Sequence, residues 1–128
     1  MAFVKAHQRA EKPGWVDLSA WGLFSVPADA APTDLHFHDC DEYWFITAGK
    51  ALVRCGDEEQ EMEPGDLLCA RMGELHQTVK VLSQEPFCGV YVEGPLRGKK
   101  RRGHLHPGKD AFPTPEEIDG IASGDASP

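Results

Sequence analysis

A chain of 128 residues, 41% of them hydrophobic, has room for one packed core and little for a second domain. Its 21 acids outweigh 13 bases for a formal charge of −8, a balance that repels phosphate backbones and argues against nucleic acid as a partner. The 13 glycines and 10 prolines are too many for a helical protein and point to short strands joined by turns.

The opening segment, MAFVKAHQRAEKPGW, lacks the apolar centre of a secretory leader. No run of about 18 apolar residues is present, so no membrane contact is expected. Residues 1–30 read as an irregular N-terminal arm, broken at Pro13-Gly14 and Pro27. Its Trp15, Trp21, Leu23 and Phe24 would cover a barrel end or a neighbouring subunit, and a homodimer is expected. From residue 31 to 95 the pattern changes to β-type segments near 35–38, 42–48, 51–56, 58–62, 67–70, 75–82 and 87–93. Ala48-Gly49-Lys50, Gly56-Asp57, Pro64-Gly65-Asp66, Met72-Gly73-Glu74 and Gln84-Glu85-Pro86 supply the turns. An all-β barrel or sandwich follows. Residues 96–128 read as a basic loop and an irregular tail, with a short helix at Pro115–Ile121. The four cysteines, Cys40, Cys55, Cys69 and Cys88, show no C-x-x-C spacing and read as free thiols of a cytoplasmic protein, with Cys69 and Cys88 as small core residues.

Chemistry concentrates in His36–Gly49, HFHDCDEYWFITAG. Side chains alternate across a strand, so His36 and His38 share a face while Phe37 points away. A turn at Asp39-Cys40-Asp41 would start the next strand at Glu42, with Trp44 and Ile46 on the same face. Two imidazoles and a carboxylate can then converge on one ion inside a barrel. His76, which follows Met72-Gly73-Glu74 and shares its face with Thr78, offers a third imidazole.

These positions resemble the two motifs of the cupin family, G-x5-H-x-H-x3,4-E-x6-G and G-x5-P-x-G-x2-H-x3-N. His36, His38, Glu42 and Gly49 fit the first, and Gly65, Gly73 and His76 fit the second. Ala30, Arg71 and Lys80 depart from the leading glycine, the proline and the asparagine, none of which is a ligand. The resemblance implies a single double-stranded β-helix (jelly-roll) barrel with one divalent transition metal ion. Iron(II) is favoured, and manganese, nickel, zinc, copper or cobalt would also suit these donors. Three neutral imidazoles and one carboxylate leave such an ion a residual charge of about +1, and an octahedral ion keeps two positions open.

The leading expectation is a dioxygenase-type oxidation of a small anionic or chelating substrate. An isomerase, decarboxylase or lyase of the same fold, or a non-catalytic small-molecule-binding or sugar-binding module, is the alternative. Trp44, Ile46, Thr78 and Arg71 are the pocket candidates beside the four ligands. The basic run Arg97–Arg102 would balance the acidic body or reach a substrate anion, and the second H-x-H pair, His104 and His106, reads as surface histidines.

Overall fold

A computed structural model describes residues 2–97 and 100–113. Its seven strands are β1 (Ala20–Val26), β2 (Glu42–Ala48), β3 (Ala51–Cys55), β4 (Glu58–Met62), β5 (Leu67–Ala70), β6 (His76–Val81) and β7 (Phe87–Glu93). They form two antiparallel sheets, one ordered β1-β7-β2-β5 and the other β4-β3-β6. This is the expected all-β double-stranded barrel. Among the described residues the one helical stretch is a 3-10 turn at Ala6–Glu11, and no helix is long and apolar enough to cross a membrane. The helix expected at 115–121 lies outside the described residues.

Two segments depart from the expected pattern. Ala20–Val26, placed within the N-terminal arm by the sequence, pairs along its whole length with β7, from Ala20↔Glu93 to Val26↔Phe87. The expected strand at 35–38 shrinks to two isolated bridges, His36↔His76 and Phe37↔Leu105. Its second partner is the segment after β7, where Pro107 follows at once and has no N–H to extend a ladder.

Alternation divides the lumen into a dry end and a polar end. On β2, Glu42, Trp44 and Ile46 turn inward in that order. Ile46 joins Ala51, Val53, Met62, Val81 and Phe87 in the core, while Glu42 stands at the opposite end. A shift of register in the β3–β6 ladder at Leu52/Val53 changes the parity of β6, so that His76, Thr78 and Val81 all face inward. Phe24 packs on Trp44 and Phe87, with ring centroids 5.2 and 5.7 Å apart. Gly89 makes room for it, because a Cβ there would lie 2.7 Å from the Phe24 ring and 2.4 Å from the Phe45 carbonyl.

Gly73 sits at φ 84°, and its N–H donates to the His38 carbonyl at 3.0 Å, which ties the turn before His76 to the segment carrying His36 and His38. Cys69 and Cys88 do not join the core. Cys69 is exposed and Cys88 half-buried, because both fall on the outward parity of their strands.

Residues 100–113 form a strap over the polar end. Phe37 and Leu105 exchange backbone hydrogen bonds at 2.9 Å, and the Arg102 N–H donates to Asp39 Oδ2 at 2.8 Å. Phe112 stacks on the fully buried Phe37 at 4.2 Å, and His106 Nε2 bonds the Asp34 carboxylate.

Candidate metal centre

Three chain segments meet at the polar end. His36 and His38 arrive on the bridge segment, Glu42 opens β2 and His76 opens β6. His36 and His76 are held side by side by reciprocal backbone hydrogen bonds of 3.3 and 2.9 Å. One ligand atom from each of His36, His38, Glu42 and His76 can be chosen so that all lie within 4.8 Å of one another. His38, Glu42 and His76 are 2, 6 and 1% exposed, and His36 is half-buried.

Local backbone chemistry aims the rings. His36 Nδ1 meets the Asp34 carbonyl at 2.8 Å, and His76 Nδ1 meets the Glu74 carbonyl at 2.9 Å. A carbonyl only accepts, so both Nδ1 atoms carry the proton and both Nε2 atoms turn to the cluster. His76 Nε2 and His38 Nε2 approach the same oxygen, Glu42 Oε2, at 2.7 and 3.1 Å.

Burial raises the Glu42 carboxyl, but hydrogen bonds and charge from His38 and His76 overcome it and hold the group well below the usual carboxylate range. Burial pulls His38 down, yet Glu42 and Glu93 raise it to about 9. His36 is pushed down to about 4 by burial and by the neighbouring imidazoles, against the opposing pull of the Asp34 carbonyl.

The donor set fits a divalent cation. His38 Nε2 is sealed from solvent with no well-aligned hydrogen bond, and two imidazoles crowd one carboxylate oxygen where a cation would take all three. Three nitrogens and one oxygen match the preferences of mid-row transition ions. Cys40 is not part of this chemistry. Burial pushes its thiol up to about 12, and its Sγ rests 3.8 Å from Ser19 Oγ.

A cavity of about 330 Å³ opens onto the cluster. Phe24, Val26, Trp44 and Tyr91 make an apolar and aromatic wall, and Thr33, Thr78, Arg101 and His104 supply polar groups. The structure therefore brings Trp44 and Thr78 to the site. Ile46 lies deeper, in the core, and Arg71 is exposed on its turn, where its backbone N–H donates to Glu74 Oε1 at 2.9 Å. The cation lining the cavity is Arg101, from the basic run.

His104 is exposed, as expected of a surface histidine, but it also lines the cavity. In the antiparallel bridge centred on Phe37 and Leu105, the two H-x-H pairs lie opposite one another. The His104 ring stands 4.2 Å from that of His36 and 4.9 Å from that of His38. The doublet is visible in the sequence, but its pairing with His36–His38 is not. Glu93 and Tyr91 also escape the sequence reading, although the parity of Phe87, Gly89, Tyr91 and Glu93 puts all four on the inner face of β7.

A family model described as the Cupin domain matches residues 22–92. Over 87 residues, or 66% of the chain, the sequence is 41% identical to the uncharacterized protein y4oW of Sinorhizobium fredii, and it spans 39% of that protein's length. A cupin 2 conserved barrel domain protein from Rhodopseudomonas palustris superposes with a TM-score of 0.60 at 15% identity, covering 88% of this chain and 68% of that one. The DMSP lyase DddQ from Ruegeria pomeroyi gives a TM-score of 0.60 at 23% identity, over 74% of this chain and 45% of that one. At such identities the shared property is the fold.

Proposed function

The chain belongs to the cupin family, and from that premise we propose that it is a mononuclear metal-dependent enzyme acting on a small organic acid. His36, His38, Glu42 and His76 would hold one divalent transition ion, iron(II) for preference. The observation that carries the reading is the placement of this buried donor set at the floor of an open cavity with an apolar wall and a cationic rim. A purely structural site would be closed on all sides. When bound, the ion supplies Lewis-acid polarisation and, as iron(II), dioxygen chemistry, which makes a dioxygenase-type oxidation the leading reaction.

The protein's own groups would select and orient the substrate. One donor of Arg101, Nη2, is engaged by Glu93 at 2.6 Å, and the rest of the planar fork is free to take a carboxylate. His104 and Thr78 offer further hydrogen bonds, while Phe24, Trp44 and Tyr91 would cover a short carbon skeleton and exclude water. A second reading, lyase, isomerase or decarboxylase chemistry, is favoured by Tyr91, whose phenol stands on the cavity wall above the space left by Gly22. The lyase among the fold's neighbours agrees with it.

Metal analysis of protein purified without chelators, followed by oxygen uptake with a panel of small carboxylic acids, tests the proposal. Iron with acid-dependent oxygen consumption supports the oxidation. Metal-dependent turnover without oxygen moves the assignment to the second reading, and tight ligand retention with no turnover overturns both. Replacing Arg101 with glutamine is expected to raise KM for a carboxylate substrate about tenfold, the worth of one charge-assisted hydrogen bond, with a smaller change in kcat.

A homodimer belongs to the same proposal. Leu23, Val90, Phe45 and Leu67 are register partners across the outer face of the four-stranded sheet, with Leu23 83% exposed and no charge in the row. Sedimentation of the wild type at twice the monomer mass, and of Leu23→Glu as a monomer, is the expected result. The free thiols of Cys40, Cys55, Cys69 and Cys88 suit a reducing compartment, so a cytoplasmic location is proposed as well.

A further inference from the structure

We infer that Glu93 is a positioning residue of the metal centre, a buried carboxylate that orients His38 from behind and strengthens it as a ligand. His36 and His76 give their outer ring nitrogens to backbone carbonyls, but His38 does not. His38 Nδ1 instead stands 3.0 Å from Glu93 Oε1, while its Nε2 faces the cluster 3.1 Å from Glu42 Oε2. Both the His38 and the Glu93 side chains are 2% exposed.

Nothing in the barrel demands a carboxylate at this place. Glu93 ends β7 as the register partner of both Ala20 and Glu42, an inner-face position that a small apolar residue could fill. Burying a charge is costly unless it is paired. Among the described residues, the Glu93 side chain is paired with His38, at an ion-pair distance, and with Arg101, at 2.6 Å from Oε2. A carboxylate behind a ligating imidazole fixes its tautomer and raises its basicity. Arg101, 42% exposed on the strap, draws part of the Glu93 charge in the other direction.

This inference rests on the four-ligand reading and adds a fifth residue, one that acts through His38. Its test uses metal affinity, measured by competition with a chromophoric chelator on the full chain, together with the visible spectrum of the cobalt(II) form. Glu93→Gln keeps the shape and removes the charge. It is expected to weaken cobalt and zinc binding about 10- to 100-fold and to shift the cobalt bands. Arg101→Gln is expected to keep affinity within about fivefold of wild type, because a pair open to solvent on one side contributes little.

Unchanged affinity and spectrum in Glu93→Gln would overturn the inference. Equal losses in the two variants would also overturn it, since the pair would then be a clamp on the strap and not a donor to His38. If Glu93→Gln does not fold, Glu93→Asp withdraws the carboxylate by one methylene, and wild-type affinity there would refute the inference in the same way. A wild-type protein that binds neither metal removes the four-ligand reading itself, an outcome distinct from a variant that binds as well as its parent.

Discussion

His76→Ala is expected to lower affinity for the divalent ion by more than about a hundredfold, beyond the range found for residues that act only through a ligand. The ring supplies one of four donors, and its Nε2 lies 2.7 Å from Glu42 Oε2 in the middle of the cluster. Its backbone would hold its place, because the bonds between His36 and His76 run through main-chain atoms. The side chain is 1% exposed and packs edge-on against Trp44 at 5.8 Å, so alanine leaves a small polar void between Trp44 and Glu42. Glu42 then keeps His38 as its partner and loses the shorter of its two contacts. Metal content after purification without chelators, together with a competition titration, gives the measurement. Stoichiometric metal in the variant would show that the ion sits elsewhere or needs fewer donors.

The ligand set is legible in the sequence because it obeys local rules. His36 and His38 share a face by strand parity, and turns before Glu42 and His76 set those residues at strand starts. Legibility ends where position depends on a partner far along the chain. β1 hides its alternation: Trp21 and Leu23 point outward while Phe24 and Val26 point inward, so both faces are apolar and no period of two remains. Arg71 stands five residues before His76 in sequence, but it is exposed and is not among the residues lining the cavity. Arg101 is 25 residues beyond His76, and the strap brings it to the cavity rim. His104 is exposed as the sequence suggests, but its place on the cavity is hidden for the same reason, since the bridge between Phe37 and Leu105 brings its ring to His36. Glu93 lies between these cases. Its inward parity can be counted from Phe87, but its role needs His38, which reaches it from the other side of the lumen.

In the metal-free protein, stability is expected to peak near pH 6.5 and to fall on both sides. His38 has a folded pKa raised from 6.5 to about 9 by Glu42 and Glu93 acting against burial. The fold thus binds that proton more tightly than the unfolded chain does. Its contribution is fully present below pH 6.5 and is lost as the pH rises through about 9. A gap of that size is worth on the order of 3 kcal/mol for a group so well buried. His36 acts in the opposite sense. Burial lowers it from 6.5 to about 4, so its neutral form favours the fold above pH 6.5 and the advantage disappears as the pH falls through about 4. Glu42, held below its ordinary value of 4.5, adds a further loss in acid. A bound cation removes the basic limb, because it must take the Nε2 lone pair that His38 otherwise gives to a proton, and it steepens the acidic limb, where protons compete for the ligands. Metal affinity is therefore expected to rise about tenfold per pH unit up to roughly pH 9, and the decline in stability above pH 6.5 is expected to vanish in the loaded protein. Denaturant titrations from pH 5 to 9.5, with chelator and with excess zinc, separate the two profiles. A metal-free protein as stable at pH 9 as at pH 6.5 would show that His38 carries no proton to be displaced, and that the two carboxylates around it do not act as the geometry requires.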